Sequence, residues 1–99
     1  MAAFGTEFTA HMVSSEYGSG QWSGLSLVPV APIPMHPATH VLHYASECFE
    51  GLKAYRTGNG SVHLFRPDRH VERMINSAAQ LLLPIPDRET LEASLHMAV

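Results

Sequence analysis

Arg73 is the side chain whose type and position best suit it to bind an anion. It lies in a stretch whose apolar residues recur at three- and four-residue spacing, which predicts a helix. Residue 73 is about 200° around a helix from Val71, so its guanidinium should point away from the apolar face. A guanidinium can bind a phosphate through paired hydrogen bonds. From the residues alone, the simplest expectation is a solvated arginine paired with a neighbour such as Glu72.

Two aromatic residues and a carboxylate form a second candidate group. Tyr44 and Phe49 lie five residues apart in an apolar segment, and composition alone predicts that they belong to the core. Glu50 has no evident partner, and we interpret it as a structural carboxylate that caps nearby backbone. Gly51, which follows it, would permit a tight bend or a close backbone approach.

The histidines raise the possibility of a metal site, which the sequence does not support. His36, His40 and His43 are spaced so that one helical face could present them, but Pro37 interrupts that face. No Cys, Asp or Glu nearby completes a four-ligand set, and we therefore expect no metal site. Cys48 has no close basic neighbour that would favour a thiolate, so we expect an inert buried thiol.

A hairpin and a helix are the elements that must position these residues. Residues 52–56 and 61–65 are predicted to be strands joined at Asn59-Gly60, a pair that tolerates positive φ at both positions. Residues 67–83 are predicted to be a helix, with Pro67 in its first turn. Its apolar stripe consists of Val71, Met74, Ile75, Ala78, Leu81 and Leu82.

The remaining segments carry weaker signals of secondary structure. Residues 4–13 and 25–30 have strand character, residues 14–24 are a polar loop, and residues 40–49 could hold one or two helical turns. Asp87 is predicted to cap a second helix with Leu91, Leu95, Ala98 and Val99 on one face. No stop signal follows Val99, and we therefore expect the chain to be a piece of a longer protein.

Bulk properties exclude several classes of protein. With 99 residues the chain is one small domain at most, and a net charge of −3 without a basic cluster argues against nucleic acid as a partner. One cysteine allows no intrachain disulfide, and neither a secretory signal nor a membrane-spanning helix is visible. A charged content of only 15% suggests that some apolar surface is meant for a partner.

The ordered motifs HYASECFEGLKAYR (residues 43–56) and FRPDRHVERM (residues 65–74) resemble the N-terminal part of the branched-chain amino-acid aminotransferases. These are fold-type-IV enzymes that use pyridoxal phosphate. The resemblance extends from Phe4 to Pro86. It implies an α+β fold in which residues 1–99 are part of the N-terminal small domain, with antiparallel strands and a hairpin packed by helices. By the same resemblance, the C-terminal cofactor domain is expected to be absent from this chain.

The resemblance also implies roles for individual residues. Arg73 corresponds to the arginine that reaches the cofactor phosphate. Tyr44 and Phe49 correspond to residues of the substrate side-chain pocket, the tyrosine being contributed across a homodimer interface. Family members hold the cofactor as a Schiff base on a lysine, and the position of Lys53 is not that of this lysine. No catalytic residue is therefore expected in this chain.

The implied parent is an enzyme of intracellular location, cytoplasmic or mitochondrial, that transfers the amino group of leucine, isoleucine or valine to 2-oxoglutarate. The isolated chain is expected to be inactive. The sequence leaves two alternatives open. One is another fold-type-IV enzyme, a D-amino-acid aminotransferase or an aminodeoxychorismate lyase. The other is a non-catalytic truncated product that binds a partner chain.

Overall fold

The mixed α+β architecture expected from the sequence is confirmed. The computed structural model describes residues 3–99, which form three two-stranded antiparallel sheets and three helices. In chain order the elements are β1 His11–Ser14, β2 Tyr17–Gly18, β3 Gln21–Trp22, β4 Ser26–Pro29, α1 His40–Tyr44, β5 Ala54–Arg56, β6 Val62–Leu64, α2 Pro67–Gln80 and α3 Arg88–Ala98.

The N-terminal strands form one hairpin inside another. β1 pairs with β4, and β2 pairs with β3 within the segment that connects them. The prediction of a plain loop over residues 14–24 is therefore wrong for β2 and β3. The two strands are joined by Ser19 and Gly20, which both have positive φ, at 52° and 80°. This is the type I′ geometry of a two-residue hairpin, and the Ser-Gly pair signals it less clearly than Asn-Gly does.

The second hairpin is confirmed, with shorter strands than predicted. Ala54 lies opposite Leu64, and Arg56 lies opposite Val62. The turn differs from the expected one, because Gly60 has a φ of 87° whereas Asn59 does not have a positive φ. Thr57 accepts a hydrogen bond from the Gly60 amide at 3.0 Å, so the strands are joined by a three-residue loop with glycine in the left-handed position.

Helix α2 begins at Pro67, as predicted, but ends at Gln80, three residues before the predicted end. Leu82 takes a left-handed φ of 56°. The amides of Leu82 and Leu83 then donate to the carbonyls of Ala79 and Ala78, at 3.2 and 3.0 Å. These two bonds form a Schellman motif, which terminates a helix by satisfying its last carbonyl groups. Leucine is an unusual residue for this position, so the sequence did not reveal the end.

Helix α3 packs against both α2 and β1. Asp87 caps it as predicted, since its side-chain oxygen accepts a hydrogen bond from the Thr90 amide at 2.7 Å. Among residues 3–99, full burial is reached by Val71 and Ala78 of α2, each 3% exposed. Leu82 is exposed because the helix has already ended there. Within the same range, no helix has the length and apolar character that crossing a membrane requires.

Replacing Gly60 with alanine should destabilise the β5–β6 hairpin by about 1 kcal/mol, because a side chain at a left-handed φ is strained. Gly58 is the matched control: it lies in the same loop, lacks a positive φ, and has open space around the position of an added Cβ. Denaturant unfolding of the two variants would measure the difference. Equal unfolding free energies for G60A and G58A would contradict the assigned turn.

Candidate functional site

A cavity of about 480 Å³ opens beside the first turns of α2. Most of its lining comes from one face of that helix, because residues spaced by three, four and seven positions lie above one another. The face is rich in basic and polar groups. The lining residues are Phe65, Arg66, Arg69, His70, Glu72, Arg73 and Asn76.

Arg73, predicted to point away from the apolar stripe, does so and is 66% exposed. Its partner is not Glu72. The guanidinium donates two hydrogen bonds to the carboxylate of Glu50, with the bond from Nε to Oε2 measuring 2.7 Å. His70 makes a further contact through Nδ1, 2.7 Å from Oε1 of Glu50. A loop residue thus binds two side chains that lie three positions apart on α2.

Glu50 was interpreted from sequence as a carboxylate that caps backbone, and this is wrong. Its side chain is only 10% exposed, and its partners are the side chains of Arg73 and His70. The two hydrogen bonds from Arg73, and then the one from His70, lower the pKa of Glu50 from 4.5 to about 2. A nearly buried carboxylate needs such donors, since burial without them would favour its neutral form.

A second ion pair lies at the entrance to α2. Arg66 and Asp68 form a two-bond contact, with Nη2 of the arginine 2.9 Å from Oδ2 of the aspartate. The Arg66 guanidinium lowers the pKa of Asp68 to about 2. Arg66 itself has a left-handed φ of 49°, which turns the chain from β6 into the helix. Both members of this pair are more than half exposed.

The way Glu50 binds Arg73 leaves part of the guanidinium available. The carboxylate engages Nε and Nη2, which form one edge of the planar group. The Nη1 amino group and the second N–H of Nη2 lie on another edge, and Glu50 does not use them. A guanidinium can therefore hold a carboxylate on one edge and a phosphate or carboxylate on the other. Arg69, which lines the same cavity, adds a second positive charge.

The loop that carries Glu50 is attached to α2 at two positions. The Cys48 thiol lies 3.5 Å from the sulfur of Met74, and Glu50 binds Arg73 and His70. Phe49 lies between these attachments and is 89% exposed. Inward and outward positions therefore alternate along the loop, as they do in extended chain.

The prediction from composition that Tyr44 and Phe49 lie in the core is wrong. Tyr44 is 72% exposed at the end of α1, where the centroid of its ring lies 4.5 Å from the centroid of the His40 ring. Neither aromatic residue lines the cavity beside Arg73. Their assignment to a substrate pocket rests on the family resemblance and stays a prediction.

The histidines considered as metal ligands each have a separate hydrogen bond. His36 Nδ1 accepts from the Ala38 amide, His40 Nδ1 contacts the Ser46 hydroxyl, and His43 Nε2 contacts the Pro37 carbonyl. Within residues 3–99, no group of three or more His, Cys, Asp or Glu side chains is placed to hold a metal ion. Lys53 is exposed and lies just before β5 rather than within the predicted strand.

Sequence reasoning selected Arg73 but missed its neighbours on the same face. The signal was present, since Arg66, Arg69, His70, Arg73 and Asn76 recur at three- and four-residue spacing just as the apolar stripe does. The partner Glu50 could not have been found in this way. It lies 20 and 23 residues before the side chains it binds, and no local periodicity connects them.

The contact between Glu50 and α2 should depend on pH in the acid range. The pKa of Glu50 is lower in the folded protein than its ordinary value of 4.5, so the contact stabilises the fold above pH 4.5 and is lost as the pH falls toward 2. We expect the protein to be more stable than its E50Q variant at pH 7, and this difference to shrink on acidification. Denaturant midpoints measured from pH 7 to pH 3 would test this, and a difference independent of pH would contradict it.

Similar proteins align with most of this chain, although no family model matches it. The chain is 46% identical over 89 residues to the cytosolic branched-chain-amino-acid aminotransferase of Mus musculus, a match that covers 89% of the chain and 23% of the mouse protein. It is 45% identical over 92 residues to a branched-chain-amino-acid aminotransferase of Mycobacterium tuberculosis, covering 91% of the chain and 25% of that protein.

A probable enzyme of the same name from Streptomyces coelicolor is 50% identical over 82 residues, which are 82% of the chain and 23% of the relative. The chain thus spans about a quarter of the length of the curated relatives that it matches. Since the identity to each extends over most of this chain, the chain is homologous to a part of the branched-chain-amino-acid aminotransferases.

Proposed function

We propose that this chain is the N-terminal part of a pyridoxal-phosphate-dependent aminotransferase that acts on branched-chain amino acids. The full-length parent would transfer the amino group of leucine, isoleucine or valine to 2-oxoglutarate and would work as a homodimer. The names of the relatives support the reaction. The proposed location is intracellular, either cytoplasmic or mitochondrial.

The observation that carries the proposal is the position of Arg73 and the hydrogen bonding of its guanidinium. Its guanidinium lies at a cavity of about 480 Å³ with one hydrogen-bonding edge not used by Glu50. Arg69 and Arg66 line the same cavity, so the surroundings favour an anion. This donor set suits a phosphate group, which accepts paired hydrogen bonds from a guanidinium.

Three residues of this chain then have a role in the proposed reaction. Arg73 binds and orients the cofactor phosphate, while Tyr44 and Phe49 contribute apolar surface to the pocket for the substrate side chain. Pyridoxal phosphate, when bound, supplies the electron sink for the reaction. We expect the lysine that carries the cofactor to lie outside this chain. Lys53 is the only lysine present, and it does not line the Arg73 cavity. The 99-residue chain alone should therefore show no transamination.

A substrate panel on the full-length parent tests the proposal. L-leucine, L-isoleucine and L-valine should each yield glutamate from 2-oxoglutarate, whereas D-alanine should not. Turnover of D-amino acids would instead indicate a D-amino-acid aminotransferase, and release of pyruvate from aminodeoxychorismate would indicate the lyase. If no substrate in the panel reacts, the chain belongs to a product without this catalytic function.

Replacing Arg73 with alanine in the full-length parent should weaken the binding of pyridoxal phosphate by at least about tenfold, because a charged hydrogen-bonding partner of the phosphate is lost. Titration of the apo-protein with the cofactor would measure this. Arg88→Ala is the matched control, since Arg88 is an exposed arginine at the start of α3 and does not line the cavity. An affinity equal to that of R88A would mean that Arg73 does not contact the phosphate.

Replacing Phe49 with alanine should lower kcat/KM for leucine by about tenfold, because a pocket that selects an aliphatic side chain by shape loses one of its walls. The affinity for pyridoxal phosphate should change little. Phe8→Ala is the control, since Phe8 is also an exposed phenylalanine and lies far from this loop in sequence. Equal kcat/KM values for F49A and F8A would remove Phe49 from the pocket.

A further inference from the structure

Within residues 3–99, Glu50 is the one side chain that binds both His70 and Arg73, and the proposed function assigns it no role. Two roles are chemically possible for a carboxylate paired with a phosphate-binding arginine. It could compete with the phosphate for the guanidinium, so that one displaces the other. Alternatively, it could hold the guanidinium so that its remaining edge faces the phosphate.

The geometry separates these roles. Glu50 binds the edge formed by Nε and Nη2, and this leaves the Nη1 amino group and one N–H of Nη2 available. Arg73 lines the cavity whereas Glu50 does not, so the carboxylate binds the guanidinium from outside the space that a phosphate would enter. We propose that Glu50 is a positioning residue, which fixes the Arg73 guanidinium so that its unused edge can bind the cofactor phosphate. This inference rests on the proposed role of Arg73.

The difference in exposure between the two partners supports this direction of action. Arg73 is 66% exposed, and an exposed arginine on a helix samples many rotamers unless a partner restrains it. Glu50 is 10% exposed and also contacts His70, so it is the better fixed of the two. Restraining the guanidinium before the phosphate arrives reduces the entropy lost on binding.

The attachment of the loop adds to the rigidity of Glu50. Two residues before it, Cys48 contacts Met74, which is adjacent to Arg73 in α2. The carboxylate is therefore held by its own hydrogen bonds and by the neighbouring backbone. Its pKa of about 2 means that it stays ionised at neutral pH, where the guanidinium is charged as well.

The test is a mutant cycle on the full-length parent, read as the dissociation constant of the apo-protein for pyridoxal phosphate. E50Q keeps the shape of the side chain but loses the charge and one acceptor. We expect it to weaken binding about fivefold, within the range of couplings seen in one ion-pair network. In an R73A background, E50Q should have no further effect. The control is E47Q, because Glu47 is an exposed glutamate of the same loop and forms no ion pair within residues 3–99.

The E50D variant provides a second test, which separates the position of the carboxylate from its charge. It keeps the charge but withdraws the carboxylate by one methylene, so affinity should fall if position matters and stay unchanged if only charge matters. If E50Q does not fold, the affinity of E50D for pyridoxal phosphate tests the proposal in its place. Nitrogen-15 NMR adds a direct readout, since the Arg73 Nε–H signal should be protected from exchange in the parent protein and lost in E50Q.

The outcomes distinguish this inference from the proposed function. Unchanged affinity in R73A would remove the phosphate role of Arg73, and the role of Glu50 with it. If R73A weakens binding but E50Q does not, the proposed function stands and the positioning role is wrong. Tighter binding in E50Q would identify Glu50 as a competitor. An equal loss in the R73A background would show that Glu50 does not act through Arg73.

Discussion

The pairing of the Glu50 carboxylate is the constraint on which the arrangement of this chain depends. A carboxylate that is 10% exposed must find donors, because removing it from water without them is costly. His70 and Arg73 supply those donors from neighbouring positions on one helical face. The loop after α1 is thereby held against α2, with Cys48 facing the helix and Phe49 facing solvent. This charged contact thus fixes where the guanidinium lies and, together with the contact between Cys48 and Met74, which side of the loop is exposed.

The core of this chain is small for the apolar residues that it contains. Within residues 3–99, only Val71 and Ala78 are fully buried, while Tyr44, Phe49 and Leu82 remain largely exposed. Exposed apolar surface of this extent usually marks an interface. The proposed function accounts for it, because the relatives are several times longer than this chain and would have further structure to cover these residues. The low charge content of the sequence has the same explanation.

Features that depend on a few neighbouring residues could be predicted from the sequence. The β5–β6 hairpin, the start of α2 at Pro67 and the Asp87 cap each follow from a local signal. Predictions failed where an unusual residue adopted a left-handed φ, as Leu82 does at the end of α2. They also failed where the partner is distant in sequence, as it is for Glu50. Arg73 was selected as a candidate through the spacing of the family motif, but the edge of its guanidinium that stays available depends on a contact with a residue 23 positions earlier.

The spacing of the motif from Arg66 to Met74 has a direct physical explanation. Arg69 and Arg73 are four residues apart within α2 and lie on one side of the helix, while Arg66, just before its first residue, lines the same cavity. Val71 and Ala78 are seven residues apart, or about two helical turns, and they form the buried side. Arg73 and Ala78 differ by five residues, or about 140° around the helix. Burial of Val71 and Ala78 therefore directs Arg73 toward the cavity. Pro67 completes the arrangement, since a helix that begins there includes Arg69, His70 and Arg73 in its first two turns.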